Sequence, residues 1–247
     1  MSKRYYSPIK EYSKVKRFHP FYKLFKVIAR VFFPKNEVIW QTEKPADGEP
    51  MFYVSNHTRV YAPLFFLLGK KPVRVWSNCY FLFYKECWNH MKNKVVNNHK
   101  ILIPFAFLLT PFIVWLFRAF EPIPVYHKSS KVITDTFAKS IETMEEDMDQ
   151  VIFPEHTENQ VNKYIFQFNQ GFPMVGELYY EKTGKRMKFY PVYCAQKLKK
   201  VVIGEPIEYD PAIPMKVQRV HICEYLENKI KELGDSLPDH EPVIYGF

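Results

Sequence analysis

Apolar positions along this chain follow two periods. Phe18, Phe21, Leu24, Phe25, Ile28, Val31 and Phe32 recur at helical spacing, and Lys23, Lys26 and Arg30 lie off that stripe. The pattern predicts an amphipathic helix over 18–33. After Pro34 the period changes. "EVIW" at 37–40, "MFYVSN" at 51–56 and "VRVWSN" at 73–78 predict short buried strands. "DQVIFP" at 149–154, "KFYPVYCA" around 189–195 and "KVVIGEPI" at 200–207 predict three more. Ile133, Phe137, Ile141, Met144 and Met148 form a helical stripe; Val220, Cys223, Leu226, Ile230 and Leu233 form another, stopped by Gly234 and Pro238. Strands separated by helices predict an α/β layered domain over residues 36–247, behind an amino-terminal arm at 1–35.

One run fits neither period. Ile101–Phe117 holds seventeen uncharged residues between Lys100 and Arg118, interrupted by Pro104 and Pro111. It falls short of a comfortable bilayer span, so the expectation is a buried helix pair or a shallow re-entrant segment.

Composition narrows the class. With 47% hydrophobic and 17% aromatic residues, the 247-residue chain has the means to bury one large core, and disorder is excluded. Cys79, Cys87, Cys194 and Cys223 show no paired spacing and read as isolated thiols of a reducing compartment. Charge is uneven: the first 35 residues carry ten cations against Glu11 alone, which accounts for the whole formal excess of +9. A basic arm implies an anionic partner surface, and its large apolar stripe suits membrane lipid rather than nucleic acid; the alternative is a surface helix that covers the protein's own core. The charged start is too long for a secretory signal and lacks a small-residue cleavage site. The expected location is therefore the cytoplasmic face of a membrane, peripheral or monotopic.

The candidate chemistry lies in an ordered set of short motifs. "SNHTRVYA" follows a predicted strand; "EPIPVYHKS", "VIFPEHTEN", "QFNQGFPMVG", "YPVYCA" and "VVIGEPI" come after it. Together, from Val38 to Leu233, they resemble the glycerolipid acyltransferases, whose best-known members are the 1-acylglycerol-3-phosphate acyltransferases. The resemblance implies a mixed sheet flanked by helices and a groove or tunnel for an acyl chain. It also implies acyl-CoA or an acyl carrier protein as donor, with no metal or other cofactor. By the same resemblance His57 is the base that takes a proton from the acceptor hydroxyl. Glu155 helps shape the acceptor or oxyanion end of the pocket, with Pro154, His156 and Thr157 beside it. Asn56 belongs to the same loop as His57. Arg59, His127 and Lys128 would meet the acceptor headgroup.

Three departures change what the resemblance implies. The family places an Asp five residues after the His to orient the imidazole, and here that position is Ala62. Its later Phe-Pro-Glu-Gly-Thr-Arg-Ser pattern reads Phe153-Pro154-Glu155-His156-Thr157-Glu158-Asn159, so a glycine becomes His156 and a phosphate-facing arginine becomes Glu158. If the backbone at that glycine needs positive φ, His156 implies a reshaped loop. His127 stands where the middle motif normally ends in arginine. Arginine grips phosphate in a bidentate way that histidine and lysine do not reproduce. The expected activity is acyl transfer from a thioester to a lysophospholipid or related lipid hydroxyl, with a small phosphate acceptor disfavoured. The alternative is a catalytically inactive lipid-binding protein of the same fold.

Overall fold

The computed structural model describes residues 19–244 except 34, 46–48, 70, 72, 97–99 and 126–129. In chain order the first elements are α1 (His19–Phe32), β1 (Glu37–Trp40), β2 (Phe52–Ser55), α2 (Tyr61–Leu68), β3 (Val73–Asn78) and α3 (Tyr84–His90). There follow α4 (Ile103–Ala119), β4 (Ile123–Val125), α5 (Ser130–Glu145), β5 (Asp149–Ile152), β6 (Glu155–Gln160) and β7 (Phe166–Phe168). The last are α6 (Met174–Thr183), β8 (Lys188–Ala195), β9 (Lys200–Ile203), β10 (Ile207–Glu208) and α7 (Met215–Asp235). The chain divides into two units, Ala29–Val75 with Ser140–Phe247, and Met1–Ile28 with Trp76–Lys139.

The larger unit is built on a mostly parallel sheet of order β1-β9-β8-β2-β5-β3, with β10 added beside β8. Strands β2 and β5 are buried along their whole length, as strands covered on both faces are. Phe52 of β2 and Phe189 of β8 are register partners, and their rings meet at 5.1 Å with Phe172 completing the cluster. Each such buried ring contributes about 2–3 kcal/mol over an exposed one. Helix α7 covers β8 with Ile222, Cys223, Leu226, Ile230 and Leu233.

Two expectations need correction in this unit. The run at 200–207 is two strands, because Pro191 of β8 has no N–H to give a neighbour. Val192 pairs with Ile203 and Phe189 with Ile207, so four steps on one strand face three on the other, a bulge at Gly204–Pro206. Gly204 still donates its N–H to the Pro191 carbonyl at 2.9 Å. Gly234 does not stop α7, which continues to Asp235. The glycine is there for space: a Cβ would stand 2.6 Å from the Tyr164 ring.

In the smaller unit the last residues of β3 pair with β4 in parallel. Cys87, Met91, Val96, Ala106 and Val114 form its core. Tyr22 and Phe25 of α1 pack on Phe120 with ring centroids 6.0 and 5.0 Å apart. The seventeen-residue apolar run is one helix, α4, with Pro104 in its first turn and Pro111 inside it. It is not a buried pair. Ala106, Thr110 and Val114 face the core, while Ile101, Phe105 and Leu108 are exposed. No helix among the described residues is long and apolar enough to cross a membrane.

Candidate active site

Strands β2 and β5 are parallel neighbours whose last register pair is Val54 with Ile152. His57 lies three residues past Val54, and Glu155 three past Ile152. Equal overhangs from parallel neighbours put both residues at the carboxyl edge of the sheet, where open α/β sheets form ligand sites. Strand pairing, not proximity in sequence, brings them together.

Glu155 ties two segments to one carboxylate. Its Oε1 accepts the His57 backbone N–H at 2.5 Å, and its Oε2 accepts the Phe166 N–H at 2.9 Å. Burial raises the carboxyl to about 7, against the two N–H groups that favour its charged form. At neutral pH it therefore stands near half-ionisation.

The His57 imidazole is half-buried and meets the edge of Phe153, centroids 5.0 Å apart; Phe153 in turn meets Phe66 of α2 at 6.3 Å. Desolvation by these surroundings lowers its pKa to about 4. The ring is neutral at pH 7, the form that accepts a proton, yet it holds that proton weakly. Ala62, where the acyltransferase resemblance would place an orienting carboxylate, is fully buried in the first turn of α2. The Ala62 N–H donates to Thr58 Oγ1 at 3.0 Å, which closes the turn leading into the helix.

Asn56 is committed to the scaffold. Its Oδ1 accepts the Cys194 N–H at 2.7 Å and its Nδ2 donates to the Cys194 carbonyl at 3.3 Å, tying the loop to β8. Arg59 is exposed with φ 50°, in the left-handed region. Pro154 is buried, and its carbonyl accepts the Asn169 N–H at 2.8 Å. His156 and Thr157 belong to β6, which pairs with β7 in irregular register between Glu155 and Gln160. The non-glycine residues of positive φ among those described are Arg59, Glu121, Asp147 and Lys199. His156 is thus an exposed strand residue and carries no such strain. His127 and Lys128 lie outside the described residues.

Thr58, Phe153, Phe166 and Cys194 were not singled out as site residues. Phe153 adjoins the Pro-Glu pair and could have been suspected as its apolar wall. The others act through backbone or hydroxyl groups, and no sequence pattern marks those.

Among solved structures, the chain is similar to the crystal structure of the 1-acyl-sn-glycerophosphate (LPA) acyltransferase PlsC from Thermotoga maritima. The TM-score is 0.50, over 94% of this chain and 88% of that one, at 13% sequence identity. No protein-family model and no curated protein matches the sequence. The fold is that of a PlsC-like acyltransferase, a mixed α/β architecture with a mostly parallel sheet flanked by helices.

Proposed function

We propose that this protein transfers a fatty acyl group from an acyl thioester to the hydroxyl of a lysophospholipid or related lipid at a membrane surface. The observation that carries the reading is the Glu155 carboxylate on the His57 backbone at 2.5 Å, on a PlsC-like fold. It joins the two motifs that the acyltransferase resemblance assigns to one site.

In this reading the neutral His57 imidazole accepts the acceptor's hydroxyl proton as the oxygen attacks the thioester carbonyl. The carbon–sulfur bond of the resulting tetrahedral adduct breaks, and the imidazolium returns its proton to the departing thiolate. Glu155 holds the His57 loop in place. Acyl-CoA or an acyl carrier protein is the donor. His127, Lys128 and Arg59 are assigned to the acceptor headgroup, and the amino-terminal arm to the cytoplasmic leaflet. Arginine's bidentate grip is missing at the headgroup positions and Glu158 is acidic, so an acceptor other than a phosphate monoester fits better.

A second reading, a non-catalytic lipid-binding protein, is favoured by one specific combination. Ala62 supplies no carboxylate to stabilise an imidazolium, and the imidazole pKa sits near 4. In a serine-protease triad, loss of the equivalent carboxylate costs about ten-thousandfold in turnover.

Purified protein and its His57→Ala variant, incubated with radiolabelled acyl-CoA and a panel of lysolipids, decide between them. We expect labelled diacyl product from the wild type and a loss of about a hundredfold or more in the variant. Equal product from both removes His57 from the mechanism. No product from either, with acyl-lipid retained, supports the binding role.

A further inference from the structure

The exposed side of α4 is unlike the surface of a water-facing helix. Ile101 just before it and Phe105, Leu108, Phe112 and Trp115 along it alternate at four and three residues, which aligns them on one face. Their exposures are 89%, 66%, 74%, 51% and 43%. No charged residue interrupts the stripe between Lys100 and Arg118. The opposite side of the helix is spent on the unit's own core through Ala106, Thr110 and Val114. A helix half embedded in protein and too short for a crossing lies flat on whatever covers its other side.

Charge identifies what covers it. Among the described residues, the unit that carries α4 holds 9 Lys and Arg against 3 Asp and Glu, whereas the other unit holds 18 against 21. Lys23, Lys85 and Lys92 of the cationic unit are exposed. A second copy of the chain would bring the same positive excess against itself. An anionic leaflet accepts both features together, cations at its phosphates and aromatic and aliphatic side chains below them.

We propose that α4 is an in-plane membrane-insertion element. The stripe Ile101–Phe105–Leu108–Phe112–Trp115 enters the acyl boundary of an anionic leaflet, and the surrounding cations meet the headgroups. The inference deepens the membrane-surface part of the proposed function and rests on it only for the identity of the acceptor. It assigns insertion to the middle of the chain, so the amino-terminal arm is not the sole contact.

The test uses the full chain and vesicles of phosphatidylcholine with about one third phosphatidylglycerol. The variant Phe105→Glu/Leu108→Glu alters two exposed side chains, so its thermal unfolding should match the wild type. Its partition onto the vesicles should fall by roughly tenfold or more, given the apolar area withdrawn and the charge introduced. Vesicles with brominated acyl chains should quench the wild-type tryptophan emission, and Trp115→Phe should abolish most of that quenching. Undiminished vesicle partition by the glutamate variant overturns the proposal. So does a wild-type dimer that the variant dissociates while neither protein binds vesicles. Acyl transfer is assayed in parallel with acceptor dispersed in detergent. Vesicle insertion without transfer retains this inference and removes the enzymatic reading; transfer without insertion does the reverse.

Discussion

At the scale of single residues, the site is governed by two titrations of opposite sign. Burial lifts Glu155 from its ordinary 4.5 to about 7, so the folded chain binds this proton more tightly than the unfolded one. Its contribution to stability is complete below pH 4.5 and is lost as pH rises through 7. His57 falls from 6.5 to about 4, so its contribution is complete above pH 6.5 and is lost as pH falls through 4. Between about 4.5 and 6.5 the two slopes oppose each other and largely cancel. Replacing His57 by Asn removes one of them. The variant should lose stability relative to wild type as pH rises across that window, by up to about 1.4 kcal/mol per pH unit. Urea midpoints measured at several pH values check this, and parallel profiles for the two proteins would contradict the assigned imidazole shift. In the proposed mechanism the two groups also set the working range. Above pH 5 the imidazole is already neutral, and further rise only ionises Glu155 and strengthens its hold on the two N–H groups.

At the scale of elements, α7 offers the sharpest test of packing. Gly234 is buried within the helix because the Tyr164 ring occupies the space of its missing side chain, with three ring carbons within 2.8 Å of an ideal Cβ. Tyr164 is itself fixed by a hydroxyl bond to Asp235 Oδ1 at 2.8 Å. Gly234→Ala should therefore destabilise the protein by about 1–3 kcal/mol despite alanine's higher helix propensity, and calorimetry would show it. A rise in melting temperature would mean that the ring yields freely. This glycine also shows what the sequence conceals. The spans of "EVIW" and "VRVWSN" coincide with β1 and β3, since apolar runs between polar breaks are visible without tertiary information, but β1 is exposed to half-buried rather than the buried strand expected. The β6–β7 pair was not legible, because "EHTENQ" has no apolar alternation and is held by pairing with β7 and by Glu155. Helix α2 hides in "YAPLFFLL", whose nearly unbroken apolar character erases any period. Within the site, the identities of His57 and Glu155 were legible from motif order. Their meeting was not, because it depends on the register of β2 against β5.

At the scale of the whole molecule, the dominant fact is the division of charge between the two units. A formal +9 understates it, because the described residues of the unit bearing α4 have a threefold excess of cations over anions while those of the other are slightly acidic. Attraction to an anionic surface should therefore be strong and screened by salt, while the apolar contribution of the stripe persists. Raising ionic strength from about 0.1 M to 1 M shortens the Debye length from about 10 Å to 3 Å. Partition onto phosphatidylglycerol-containing vesicles should drop about tenfold or more over that range without reaching zero, and co-sedimentation measures both parts. Complete release would leave nothing for the apolar stripe to do. Salt-independent binding would leave nothing for the charge.

The matched overhangs beyond Val54 and Ile152 carry an evolutionary corollary. Each is a three-residue ruler, and a single inserted or deleted residue in either one would swing its functional side chain out of line with its counterpart. Length variation among descendants of this sequence is therefore expected to accumulate in the surface connections, such as the turn between β6 and β7, and to spare both rulers. A loop-insertion library scored for folded protein and for turnover would reveal that uneven tolerance directly.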